Sequence, residues 1–325
     1  MRLPSHQRRA MTLGIIDVGT NSIHLLVGIL GLNGKFHVIL KERDLARLGE
    51  RGLASNRLTG TAMRRAMAVL RRYARTLKRC QVDRIEAVAT SAVREAANGP
   101  AFVRRVRAQL GLPLRIISGR EEARLIYLGI LQTIRFRRAV LIVTIGGGSA
   151  QVVHGHGARL DYAASLALGG ARLAQQFIRH DPPRPEEVDA LRRYVGRVWS
   201  PVTRTVRRRR WPRVFGSSAT IHQLMLAAYR RTHDRLPRPT QPLSISRQAL
   251  RRLMEWLSRS TAAKRRRLSG LDPQREDLAL PTGMTLLAWM EGCGVSSLRY
   301  APGSIREGLI VVLSERGVYT SGGNR

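Results

Sequence analysis

Leu141 to Val153 reads LIVTIGGGSAQVV: an aliphatic, β-branched run, three glycines and a serine, then a second aliphatic run. The pattern predicts two strands joined through Gly146, Gly147, Gly148 and Ser149. Glycines have no Cβ and let backbone N–H groups approach an anion closely, so the turn suits a phosphate cradle. For an isolated GGGS the competing reading is a plain hairpin turn. A second copy argues for the cradle. Gly14 to Gly28 reads GIIDVGTNSIHLLVG and sets Gly19, Thr20, Asn21 and Ser22 between two aliphatic runs. Two such hairpins, about half a chain apart, imply two related halves facing one ligand.

The 325 residues exceed the usual single-domain size and suffice for two cores. The apolar content, 43%, is ordinary, but the net charge of +35, from 57 basic and 22 acidic side chains, is not. Such an imbalance costs self-repulsion unless a polyanion or counterions offset it. Only four of the cations are lysine and 53 are arginine, whose planar fork matches phosphate oxygens in pairs. Compositional bias of the genome would give the same excess. Cys80 and Cys293 have no Cys or His neighbours in a metal or disulfide spacing. The basic N-terminus lacks the apolar stretch of a signal peptide, and no uncharged run reaches the length of a membrane span, so a cytoplasmic protein is expected.

Residues 1–10 read as a disordered basic tail. Phe36–Leu40 follows an Asn33-Gly34 turn signal and makes a third antiparallel strand, and Thr59–Arg79 reads as an amphipathic helix. Ile85–Thr90 is a strand ending on a helix with Ser91 as cap, which sets Arg94 near the first glycine loop if the strand is parallel to its neighbours. Arg115–Ile117 precedes a helix over Arg120–Leu131, with Glu121 and Glu122 in its first turn, where helix-end electrostatics alone would favour carboxylates. The basic segment Thr133–Arg138 suggests a domain boundary, giving domains 11–133 and 134–325, with the last helix, 304–316, free to pack back on the first. The second half repeats the order: strand, GGGS, strand, a loop over His154–Gly157, and a strand over Tyr162–Leu168. His154 and His156 read as a solvated hairpin tip, with metal binding the alternative. Glu186–Trp199 is helical. The arginine run Arg207–Arg210 is either a solvated helix end or part of a polyanion track. Gly216, Ser217 and Ser218 open a helix over Ile221–Ala228 and form a third anion loop. Residues 232–246 read as a loop, Leu250–Leu257 as a helix, a long helix follows Pro281, Val295–Tyr300 is a strand, and Ile305–Glu315 is the last helix.

These loops together resemble the exopolyphosphatase and guanosine pentaphosphate phosphohydrolase (Ppx/GppA) family of the actin and sugar-kinase superfamily. The resemblance is carried by Asp17-Val18-Gly19-Thr20-Asn21-Ser22 with His24, by Thr90 to Ala96 (TSAVREA) and by Ser118 to Tyr127 (SGREEARLIY). Ile145 to Ser149 (IGGGS), Gly216 to Ile221 (GSSATI) and Gly303 to Gly308 (GSIREG) complete it. The motifs run in family order from about residue 13 to 315, at the length of the short, two-domain members. The resemblance implies an α/β fold of two RNase H-like (actin-like ATPase) domains with mixed sheets and a cleft between them. It implies hydrolysis of terminal phosphoanhydride bonds, with orthophosphate released from polyphosphate or guanosine pentaphosphate. Glu122 matches the family glutamate that orients and deprotonates water, and Arg94 the arginine at the scissile phosphate. Magnesium or manganese is the implied cofactor, with Asp17 able to approach it.

Two positions depart from the family. Where the family has an aspartate before the glycine triplet and a glutamate after its serine, this chain has Thr144 and Gln151. Loss of two carboxylates weakens a hard-cation site and costs turnover more than it costs phosphate binding. The alternative function is therefore an impaired regulator that binds polyphosphate or a guanosine penta- or tetraphosphate. A homodimer is compatible with the sequence. Nucleic acid is disfavoured, because the basic runs lack stacking aromatics.

Overall fold

The computed structural model describes residues 10–233, 237–238 and 241–315. The basic tail at 1–9, parts of the segment 232–246 and residue 316 of the last predicted helix lie outside the described residues.

The strands are β1 (Met11–Val18), β2 (Ile23–Leu30), β3 (Phe36–Asp44), β4 (Arg84–Ala89), β5 (Leu114–Ile116), β6 (Val140–Ile145), β7 (Ala150–His156), β8 (Arg159–Leu166), β9 (Arg213–Ser217), β10 (Ser244–Ser246) and β11 (Ser297–Tyr300). The helices are α1 (Gly60–Arg79), α2 (Ser91–Glu95), α3 (Gly99–Leu110), α4 (Gly119–Leu131), α5 (Gly170–Phe177), α6 (Pro185–Arg207), α7 (Ala219–Arg230), α8 (Arg247–Arg259), α9 (Ala262–Arg266), α10 (Glu276–Cys293) and α11 (Ile305–Glu315).

One sheet has the order β3-β2-β1-β4-β5 and the other β10-β11-β9-β6-β7-β8. Read from its β8 edge, the second sheet repeats the first: an antiparallel meander of three strands, a parallel strand beside the first of them, and another beyond. This is the repeat of two related halves expected from the two glycine hairpins, with β10 added at an edge. The central strands are buried on both faces, which is why β6 reads as an unbroken aliphatic run rather than an alternation. β3 is a sheet edge and carries mostly exposed side chains.

Each sheet packs helices over its own apolar cluster. In the first half, Tyr73, Leu70 and Leu77 of α1 meet Ile16 and Leu25. In the second, Trp199 of α6 and Trp289 of α10 meet Leu141, Val143 and Val152. At about 1.5–3 kcal/mol per fully buried large side chain, either cluster holds its sheet. A third cluster spans both sheets, from Leu13 and Ile15 through Ile126 and Ile130 of α4 to Ile142, Val153, Phe215 and Leu309. α4 and α11 thus cross in a layer between the sheets. The crossing is close: a Cβ on Gly308 would lie 1.9 Å from the Leu125 carbonyl oxygen, and one on Gly129 would lie 2.2 Å from that of Ser304.

Several local expectations change. The segment 154–156 is strand, not loop, because β7 continues to pair with β8 past a bulge at His154/Gly155. The helix expected after Pro281 begins at Glu276. Pro281 lies in the second turn, where its missing N–H costs the bond to the Asp277 carbonyl, and the first turn is tied down by ion pairs from Arg265 to Glu276 and from Arg47 to Asp277, at 2.8 and 2.7 Å. α6 likewise runs through Pro201 to Arg207. Ser91 does not cap α2: the N-cap is Thr90, whose hydroxyl makes no capping bond and donates to the Val18 carbonyl at 3.5 Å, and Ser91 Oγ instead donates to Glu95 at 2.6 Å. Among the described residues no helix is long and apolar enough to cross a membrane.

Candidate active site

The two hairpins of the repeat close in the same way. Gly19 N–H donates to the Ser22 carbonyl at 3.0 Å, and Gly146 N–H to that of Ser149 at 2.8 Å. They meet face to face at the strand ends, and the contact leaves no room for side chains. A Cβ on Gly148 would lie 2.5 Å from both Thr20 Oγ1 and Ser91 Oγ, and one on Gly169 would lie 2.3 Å from the Gly148 backbone. The third loop follows β9, where Ser218 takes φ 112° and its Oγ accepts from Ile221 N–H at 3.2 Å. A serine at such a φ is strained, a cost tolerated at sites where a helix start must be aimed.

Together the three loops enclose a pocket of ≈ 180 Å³. That is below the roughly 300 Å³ at which pockets for drug-sized ligands begin, and suits the end of a phosphate chain better than a nucleoside. Gly19, Thr20, Asn21, Ser22, Gly146, Gly147, Gly148, Ser149, Ser217 and Ser218 all line it, as do Asp17, Glu122, Thr144 and Gln151. Gly216 does not: it sits inside β9, where a Cβ would strike Leu298 and Ile221, so its smallness serves packing.

Glu122 stands in the first turn of α4, whose N-cap Ser118 accepts from Glu121 N–H. The side chain is buried, receives a hydrogen bond from Arg94 at 2.9 Å and lies 3.5 Å from the Ser149 hydroxyl. Burial pushes its pKa up, and the Arg94 charge and hydrogen bond oppose this. Arg94 comes from α2, at the carboxyl end of β4, which is parallel to β1; it also donates to the Ile117 carbonyl at 3.1 Å. Arg94 therefore holds Glu122 in place and is not among the residues that line the pocket.

Asp17 ends β1 with its Oδ1 sealed and unpartnered, although other parts of the residue reach the cavity. Burial first, then Glu122 and Glu307, raise its pKa to about 7 against the opposing charge of Arg306. The amide nitrogen of Asn21 is also buried without a partner. His24, the cross-strand neighbour of Asp17, is pushed down to about 3 by burial and by Arg306, Arg275 and Arg43, so it is neutral. Thr144 and Gln151 are register partners across β6 and β7, and the row extends to Ser217 on one side and Ser165 on the other. Every member is uncharged. Gln151 Nε2 donates to Ser149 Oγ at 2.8 Å and to Ser165 Oγ at 3.1 Å.

Arg275 completes the pocket and was invisible in the sequence, one arginine among 53 in a stretch without a repeat. It is buried, its Nε lacks a hydrogen-bond partner, one of its terminal nitrogens donates to Ser22 Oγ, and burial with the repulsion of Arg43 lowers its pKa to about 10. Arg306, whose motif was legible, reaches His24 Nδ1 at 3.4 Å.

The paired glycine loops over a buried glutamate and arginine bear on the chain's relationships. The Ppx/GppA phosphatase family model matches residues 31–316. The chain belongs to the Ppx/GppA phosphatase family. Among its Ppx/GppA relatives, exopolyphosphatase 1 of Mycobacterium leprae (strain TN) is 29% identical over 303 residues, 93% of this chain and 89% of that protein. An exopolyphosphatase from Cytophaga hutchinsonii superposes with a TM-score of 0.85 at 25% identity, covering 94% of this chain and 98% of that one. The Aquifex aeolicus Ppx/GppA protein shares the fold with a TM-score of 0.77 at 24% identity, over 96% of this chain and 100% of that one.

A divalent cation is typical of Ppx/GppA phosphatases. Among the described residues no group of three or more His, Cys, Asp or Glu side chains could hold one, the His154, His156 and Asp161 cluster included. A closed protein cage does not fit. The carboxylates of Asp17 and Glu122 in the pocket lining, with no further acidic ligand, do fit a magnesium ion bound mainly by substrate phosphates, the usual mode for this ion.

Proposed function

We propose that the chain hydrolyses terminal phosphoanhydride bonds, releasing orthophosphate from polyphosphate or guanosine pentaphosphate. The observation that carries this is the Glu122 carboxylate, buried beside three phosphate-sized loops and held at 2.9 Å by Arg94. Burial raises its proton affinity, as suits a general base, and the Arg94 charge and hydrogen bond oppose that rise and aim the carboxylate. Glu122 takes the proton of the attacking water. The N–H groups and hydroxyls of the loops, with Arg275, hold the phosphate oxygens in place as charge moves onto the leaving phosphate. Asp17 would hold a magnesium or manganese ion, which supplies further charge neutralisation when bound.

A second reading is favoured by one specific feature, the uncharged row Ser217, Thr144, Gln151 and Ser165. Without its two family carboxylates the pocket keeps its affinity for phosphate while turnover falls, which describes a polyphosphate- or alarmone-binding regulator. One experiment separates the two. Purified protein is given polyphosphate or guanosine pentaphosphate with Mg²⁺ or Mn²⁺, and orthophosphate is measured beside Glu122→Gln. Release that disappears in the variant supports the hydrolase; tight binding with no release supports the regulator; neither binding nor release rejects both.

A further inference from the structure

The second sheet is split at the end of β9 remote from the pocket. β9 and β11 pair only at Phe215 and Gly216 with Arg299 and Tyr300. Before that point Arg213 and Val214 pair with β6 alone, and Ser297 and Leu298 with β10 alone. Ala301 N–H donates to the Gly216 carbonyl across the seam. By strand alternation the backbone groups of Val214 and Ser297 therefore point into the gap, where no strand answers them.

The gap opens into a crevice of ≈ 500 Å³ lined by Trp211, Arg213, Ser296, Ser297 and Arg299 among others, with no carboxylate in its lining. It follows directly on the arginine run at 207–210. Arg207, Arg208, Arg210, Arg213 and Arg299 are all exposed, and none has an ion-pair partner among the described residues. With 53 arginines against 22 acidic side chains, most arginines of the chain have no carboxylate to pair with; Arg213 and Arg299 are set apart because both line one crevice that holds no carboxylate. Unpaired like charges around one concavity repel each other, and an anion removes that cost. Guanidinium forks, serine hydroxyls and free backbone N–H groups are the donor set that phosphate oxygens take.

We propose that this crevice is a second anion site that takes an oligophosphate, with Arg213 and Arg299 as its cations and Ser296, Ser297 and the open strand edges as its donors. Its occupant is either a free oligophosphate or the distal part of a polyphosphate chain. The site does not depend on the hydrolase reading, because it is detected by binding.

Calorimetric titration of the full chain with tripolyphosphate and with long-chain polyphosphate, in EDTA, tests it, comparing wild type with Arg213→Ser/Arg299→Ser. Both residues are exposed and unpaired, so the variant's melting temperature should not move. Two tripolyphosphate sites reduced to one would identify a free oligophosphate as occupant. One tripolyphosphate site in both proteins, with long-chain affinity at least about tenfold weaker in the variant, would identify the distal chain. The control Arg71→Ser/Arg75→Ser removes the same charge from exposed positions on α1. The proposal is overturned if the double variant matches wild type for both ligands, or if the control weakens binding equally.

Discussion

Replacing Asp17 by asparagine tests the electrostatics of the pocket without reference to turnover. In the folded chain the Asp17 carboxyl is raised from 3.8 to about 7, with burial the largest cause. A group raised on folding contributes stability that is fully present below its unfolded pKa and lost as pH rises through the folded one. Here the window runs from 3.8 to about 7. At about 1.4 kcal/mol per pH unit, the ionised carboxylate costs the folded state up to about 4 kcal/mol above pH 7, an upper limit because part of the residue lines the open pocket. Asparagine keeps the shape and cannot ionise. Urea unfolding of both proteins, without phosphate or metal, should therefore show Asp17→Asn gaining on wild type by up to about 3 kcal/mol between about pH 5 and pH 8.5. Added Mg²⁺ should shrink that gain by stabilising the carboxylate of the wild type alone. The same difference between the proteins at both pH values would refute the reasoning.

Other perturbations probe the remaining parts. Arg94→Met strands Glu122 in its buried position, so the carboxyl should neutralise; a loss of about 3 kcal/mol or more in stability above its raised pKa, and an acid limb of the pH–rate profile moved upward, are the expected results. Thr144→Asp with Gln151→Glu places two carboxylates at register partners facing the pocket, and should create Mg²⁺ binding measurable by calorimetry without phosphate, absent in wild type. Gly308→Leu drives a side chain into the Leu125 backbone of α4, the helix that carries Glu122, and should cost at least about 3 kcal/mol in urea unfolding.

The sequence alone determined the repeat. Strand patterns, glycine loops and their order are local, and the hydrophobic run of β6 announces a strand buried on both faces wherever it lies. The glycine loops and their serines follow from strand ends, whereas Glu122 was singled out only by the motif resemblance, since spacing alone left it a helix-end carboxylate. Three things needed the tertiary structure. Arg275 lines the pocket from the N-cap of α10, whose first turn is held by ion pairs from nearby Arg265 and from Arg47, far away in the chain. Gly216 has the composition of a cradle residue but packs against Leu298, a contact made by a strand some 80 residues later. Arg94 has the chemistry of a phosphate ligand but spends its nearest hydrogen bonds on Glu122 and Ile117. For Gly216 and Arg94 the backbone conformation was legible and the partner was not; for Arg275 the helix start was missed as well. Which buried charge faces which depends on how elements far apart in the chain meet, and periodicity and spacing carry no record of that meeting.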